Sequence, residues 1–137
     1  MTVKLKIWIP ILVACLLFGG CAIESGQGDK DMDIGYRQIT MPEAMEMMET
    51  ESGYIILDVR TAEEFAEKHI PNAINVANED IGTEEISELP DKDQLIMVYC
   101  RSGRRSKEAA EKLVALGYTN IVEFGGIIDW TGETVSG

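Results

Sequence analysis

Two short runs constrain this chain more than any other feature: Tyr54–Val59 (YIILDV) and Gln94–Tyr99 (QLIMVY). Each is apolar at nearly every position, so neither alternates as a strand with one wet face does. Strands like these are buried on both sides and need helices on both faces. The intervening sequence supplies helices. Thr40-Met41-Pro42-Glu43 and Thr61-Ala62-Glu63-Glu64 are capping boxes, the first with Pro in its first turn. They start helices running to about Thr50, where Ser52-Gly53 breaks the pattern, and to about Lys68. A third helix over 104–116 carries Ala109, Ala110, Leu113 and Leu116 on one face, with Gly117 as its left-handed cap and Tyr118 following. Tyr36–Ile39, Ala73–Val76 and Ile121–Phe124 read as further strands. Residues 79–89 read as a short helix and loop, and Gly125-Gly126 leads into a final short helix with Trp130. The alternation predicts one α/β domain over 36–137, with a central, mostly parallel sheet and helices on both faces. Sites in such sheets lie at the carboxyl ends of strands.

The first residues do not belong to this pattern. Lys4 and Lys6 precede an apolar run over 7–18, followed by Gly19, Gly20 and Cys21. That is the anatomy of a signal peptide, and the run is short for a membrane span of about 20 residues. Read as an uncleaved anchor and stretched to Ile23, the segment just spans. Phe18-Gly19-Gly20-Cys21 resembles the lipobox of bacterial lipoproteins, with Phe18 where Leu is usual. That resemblance implies a signal peptide over 1–20 and a lipid on Cys21. Leu12-Val13-Ala14-Cys15 matches the consensus letters better, but cutting there leaves an apolar core of only eight residues. A multiply acylated cysteine is a stable anchor. Residues 21–35, polar and Gly-containing, read as a flexible tether. The expected location is the outer side of the cytoplasmic membrane, lipid-anchored.

Charge narrows the function. The net charge is −12, and removal of residues 1–20 takes it to −14. A chain this acidic is a poor partner for nucleic acid. No CxxC or His/Cys cluster is present to hold a structural metal, and no cofactor motif is found. After residue 20 two cysteines remain, Cys21 and Cys100. With Cys21 lipidated, Cys100 has no partner in its own chain. A lone thiol kept outside the cytoplasm is either buried or chemically used.

Cys100 ends an apolar strand and is followed by Arg101-Ser102-Gly103-Arg104-Arg105-Ser106-Lys107. A strand, a tight loop with Gly and then a helix aim backbone N–H groups at one spot. Such a spot binds anions and stabilises a thiolate. Four of the ten cations remaining after residue 20 fall here. Cations at a helix N-terminus are unfavourable by about 0.3–1 kcal/mol each unless something anionic offsets them. An anionic substrate is the expected partner. The competing reading is an inert buried cysteine before a solvated basic helix.

Here the chain resembles the rhodanese family of sulfurtransferases, over about residues 36–131. Leu57-Asp58-Val59-Arg60, Glu64-Phe65 with His69-Ile70-Pro71-Asn72-Ala73-Ile74-Asn75, Cys100–Ser106, Leu116-Gly117-Tyr118 and Gly125-Gly126 with Trp130 occur in the family's order. Lys68 and Asn72 stand where the family usually has Gly. Cysteine phosphatases and arsenate reductases use C-x5-R, but position 106 is Ser and the Arg is at 105. The shorter loop resembles the family's sulfur-transfer version.

The resemblance implies a persulfide on Cys100, formed from a donor such as thiosulfate and passed to a thiol or cyanide. Loop amides from Arg101 through Ser102, Gly103, Arg104 and Arg105 to Ser106 would hold the sulfur. Arg101 and Arg104 would draw in the anionic donor, with Arg104 ranked first; Arg105 would help or turn away with the helix. No general base is expected, because the thiolate is itself the nucleophile. Asp58 and Arg60 are implied to be supporting residues, Asp58 bonding near the active loop and Arg60 pairing with an acid such as Glu67. His69 reads as a turn residue more than a base. Met41, Met45 and Met48 read as core rather than copper ligands. Trp130 reads as packing and Glu84, Glu85 and Glu88 as solvated surface. Three other readings stand beside the enzyme. These are a low-turnover persulfide carrier with a protein partner, a thiol redox partner and an anion-binding domain with an inert Cys100.

Overall fold

A computed structural model describes residues 35–137. The signal-peptide reading of 1–20, both candidate lipidation cysteines (Cys15 and Cys21) and the tether up to residue 34 lie outside them. Among the described residues no helix is long and apolar enough to cross a membrane.

The elements follow the predicted order: β1 (Arg37–Gln38), α1 (Met41–Thr50), β2 (Ile55–Asp58), α2 (Ala62–Glu67), β3 (Ile74–Asn75), β4 (Ile96–Cys100), α3 (Arg104–Ala115) and β5 (Ile121–Gly126). All four pairings are parallel, in the order β1-β5-β4-β2-β3. Both capping boxes form, at Thr40 with Glu43 and at Thr61 with Glu64. Gly53 and Gly117 take the left-handed conformation, as their roles as helix stops require. The expected helix within 79–89 is only a single 3-10 turn, Asn78–Asp80, and the final helix is another, Ile127–Asp129.

The central strand β4 is buried at every position. Its side chains alternate between two cores. Ile96, Val98 and Cys100 pack with Leu57, Val59, Ile121 and the Ala109, Ala110 and Leu113 face of α3. Met97 and Tyr99 pack with Ile56, Phe124 and, from α1, Met41 and Ala44. Met45, Met47 and Met48 are half-buried against this second core, as are Phe65 and Trp130. The methionines therefore pack on the sheet, and Trp130 does too, its indole N–H donating to Glu133 O at 2.9 Å.

Asn72, where the family usually has Gly, has φ 68°. Asn tolerates that region better than most side chains, so the turn keeps its shape. Lys68 is extended and needs no Gly. His69, expected in the turn, instead precedes it and forms an isolated antiparallel bridge with Val135. It stacks on Phe65, its Nδ1 lies 2.8 Å from Phe65 O, and its backbone exchanges bonds with Val135.

Asp58 has a different set of partners from the one the resemblance implied. It sits at 0% exposure on the face of the sheet opposite Cys100, beside Tyr99. Arg60 Nη2 donates to its Oδ2 at 2.7 Å, and Arg60 Nε reaches both oxygens. The Tyr99 hydroxyl donates to the same Oδ2 at 2.5 Å and accepts from Ile70 N–H at 3.1 Å. Arg60 thus pairs with Asp58 and with Lys68 O, not with Glu67. A carboxylate ending a buried strand needs a fixed cation, and the residue two positions on supplies it. Burial raises the Tyr99 phenol pKa, and the bond to Asp58 and its charge add to the rise. Tyr99→Phe leaves the Ile70 N–H without its acceptor and removes one donor from Asp58. Chemical denaturation is expected to show a loss of about 1–3 kcal/mol, with the secondary structure retained.

Candidate active site

The site lies where β4 gives way to α3. Cys100 is the last residue of β4 and 1% exposed. Gly103, at φ 112°, is the N-cap of α3 and offers no capping side chain. Its N–H turns back to Cys100 Sγ at 3.0 Å. The first intrahelical bond of α3 is Lys107 N–H to Gly103 O at 3.4 Å. The amides of Arg104, Arg105 and Ser106 precede it and are the orphan donors of a helix start. The thiol therefore faces the positive end of a twelve-residue helix.

β5 closes the site from the other side. Its register against β4 slips by one residue, Val98 pairing with Glu123 and Cys100 with Gly126. Gly125 takes φ 93° in this bulge. A Cβ on Gly126 would lie 2.0 Å from Arg101 O, so only glycine lets the loop lie against the strand. Glu123, just before the bulge, stands in register with Val98 and so faces the same side as Cys100 and Ser106. Glu123 is 2% exposed. Its Oε1 accepts the Ser106 hydroxyl at 2.5 Å and the Gly125 N–H at 2.9 Å. Ser106 Oγ in turn lies 3.5 Å from Cys100 Sγ.

The loop cations divide. Arg104, expected to lead in donor binding, has a side chain 75% exposed and pairs with Glu108 at 2.9 Å on its own helix. Arg105 turns away to Glu64, with bonds of 2.7 and 3.0 Å. Two of the cations at the helix start are thus offset by the protein's own carboxylates. Arg101 remains beside an open cavity of about 400 Å³, whose walls include Arg60, Glu64, Lys68, Ile127 and Ile128. Ser102 is exposed on the loop. His69 is not among the hydrogen-bond partners of Sγ. Glu84, Glu85 and Glu88 are exposed, on the rim of a separate depression, as expected. Among the described residues no group of His, Cys, Asp and Glu is arranged to hold a metal ion.

Two parts of the site escaped the sequence reading. One is the Glu64–Arg105 bridge between α2 and α3, two elements far apart in sequence. The other is Glu123, for which a signal existed: a charge in the middle of the apolar run Ile121-Val122-Glu123-Phe124 demands a buried partner.

A parallel α/β sheet that presents one cysteine, cradled by a short loop before a helix, defines the class of domain. The comparisons narrow the class. Residues 40–133 match the family described as Rhodanese-like domain. The chain is 35% identical over 81 residues to thiosulfate sulfurtransferase PspE of Escherichia coli, covering 59% of this chain and 78% of that protein. It is 30% identical over 98 residues to a putative sulfur carrier protein, YrkF, of Bacillus subtilis, covering 71% of this chain and 52% of that one. A solved structure of a rhodanese with anions from E. coli superposes with a TM-score of 0.56 at 35% identity, over 61% of this chain and 99% of that one. This chain belongs to the rhodanese-like family, a family of sulfurtransferases.

The Glu64–Arg105 bridge has a pH signature. Hydrogen bonding from Arg105 holds the Glu64 carboxyl down to about 2, against the opposing effect of burial, with Thr61 helping. A depressed carboxyl stabilises the fold above its ordinary value of 4.5, and that contribution is lost as pH falls towards 2. Glu64→Gln is therefore expected to melt below the wild type at neutral pH. The gap between the two melting temperatures should close between pH 4.5 and 2.

Proposed function

We infer that this protein transfers sulfane sulfur from an anionic donor such as thiosulfate to a thiol or cyanide through a persulfide on Cys100. The observation that carries this reading is Cys100 Sγ receiving the Gly103 N–H at 3.0 Å, at the start of α3. The Cys100 thiolate attacks the outer sulfur of thiosulfate. The donor's S–S bond breaks with its electron pair going to sulfite, and Cys100 is left as a persulfide anion. An acceptor thiolate or cyanide then takes the terminal sulfur and restores the Cys100 thiolate. The persulfide anion needs fixed donors, which Gly103 N–H and the uncapped first amides of α3 supply. Arg101, at the cavity edge, is the cation best sited to meet the donor's charge. Ser at position 106, where C-x5-R loops have Arg, favours sulfur over phosphate.

In this reading the domain works on the outer side of the cytoplasmic membrane, held by a lipid on Cys21 or, by the alternative cut, on Cys15. The likeness to a protein named as a putative sulfur carrier favours a second reading, a persulfide carrier that hands sulfur to a protein partner.

Mass spectrometry of the Cys100 peptide from the full chain, with and without thiosulfate, separates these. Transfer predicts a gain of one sulfur atom (about 32 Da) with sulfite released, and neither in Cys100→Ser. A stable adduct that cyanide and small thiols discharge only slowly points to the carrier. No adduct with any sulfane donor overturns both. Detergent partitioning of cells labelled with a fatty acid, with Cys21→Ser and Cys15→Ser beside the wild type, tests the anchor.

A further inference from the structure

The chemistry above needs a thiolate, yet the thiol it starts from is almost wholly buried. Cys100 is 1% exposed, so bulk water has almost no access to the sulfur. A hydrogen-bonded neighbour is the short route for its proton. Gly103 N–H is a donor and takes no proton. Ser106 Oγ, 3.5 Å from Sγ, is the side chain that accepts from it. A serine hydroxyl owns a single proton, and three acceptors surround this one: Glu123 Oε1 at 2.5 Å, Gly103 O at 3.0 Å and Gly125 O at 3.4 Å. The charged, shortest contact outcompetes the two carbonyls. With its proton turned to Glu123, Ser106 shows Cys100 a lone pair.

We propose that Glu123 is the proton acceptor for Cys100, acting through the Ser106 hydroxyl. The S–H bond breaks as an O–H bond forms on Ser106, and the former Ser106 proton passes to Glu123 Oε1. Serine is unchanged. A thiol and a carboxylate become a thiolate and a carboxylic acid, so the site carries one negative charge before and after. Loss of the proton to solvent would instead leave two anions side by side in a buried site, repelling each other and the anionic donor. The inference rests on the sulfur-transfer reading for its purpose, but not for its geometry. Glu123 does not touch the substrate; it is a positioning residue for the proton.

Nothing else in the surroundings does this. β4 contributes Cys100 itself. α3 contributes Ser106 and, further out, Arg105, which is close enough for the Cys100 charge to help raise its pKa but is tied to Glu64. The bulge adds only the Gly125 N–H. β1 places Gln38, uncharged, in register with Glu123.

The test is alkylation of Cys100 by iodoacetamide in the full chain, followed on the Cys100 peptide by mass spectrometry across a range of pH. Iodoacetamide is neutral and carries no sulfur, so the result stands whether or not thiosulfate is a substrate. Glu123→Gln keeps an oxygen to receive the Ser106 hydroxyl but cannot take its proton. It should alkylate at least about tenfold more slowly than the wild type at neutral pH, and the deficit should close as the pH rises and hydroxide replaces the carboxylate. Ser106→Ala should show the same deficit, and the double variant should be no slower than Ser106→Ala alone. Should Glu123→Gln fail to fold, Ser106→Ala carries the test by itself, since it cuts the path and leaves the carboxylate. Wild-type or faster alkylation at neutral pH in a folded Glu123→Gln or Ser106→Ala overturns the proposal. That is the outcome if the buried carboxylate merely repels the thiolate.

Discussion

The burial of β4 on both faces is the constraint from which the rest of this structure follows. A strand alternates its side chains, so Tyr99 and Cys100 must face opposite ways. Tyr99 enters the core beneath α1 and carries its hydroxyl to Asp58 and Ile70. Cys100 enters the core beneath α3 and meets the start of that helix. One strand end thus serves two separate purposes. On one face a closed network of Asp58, Arg60 and Tyr99 holds the ends of β2 and β4 together. On the other an open-ended cradle surrounds a sulfur. Asp58 and Arg60 thus brace β4 on the face opposite Cys100, while Leu57 and Val59 pack in the core that Cys100 enters.

The charges around the loop form a second layer of the same arrangement. Cations cluster at the start of α3, where the helix dipole already disfavours them. Glu108 and Glu64 offset two of them, and the Glu64 bridge also fastens α2 to α3 across the carboxyl ends of the strands. Backbone amides, Arg101 and Lys107 remain as positive groups around the loop. Amides are fixed by the fold and need no reorganisation when charge develops on sulfur. Set against them is Glu123, a buried carboxylate just before the bulge, which makes Ser106 more than a spacer in the loop.

Much of the fold was legible because it rests on local rules. The apolar runs around Ile55–Asp58 and Ile96–Cys100 announced buried strands, and the Thr-x-x-Glu boxes marked two helix starts to the residue. Cys100 stood out because an apolar strand, a glycine and a run of cations converge on it. Pairings between distant residues were not legible. The choice of Asp58 over Glu67 for Arg60 depends on which side of the sheet each group ends up. The exposure of Arg104 and the tethering of Arg105 depend on where α2 lies relative to α3.

The sequence by itself determined the class of sheet, the starts of the three main helices and the candidate cysteine, because periodicity, caps and loop spacing are written within a few consecutive residues, and its motifs carried the family resemblance. Only the tertiary structure decided which carboxylates meet which cations, and that Glu123 and Ser106 come together beside Cys100. Those contacts join residues from separate elements. Glu123 reaches the sulfur's side because the parallel register sets it against Val98, which faces the same way as Cys100, and no local pattern in the chain encodes that pairing.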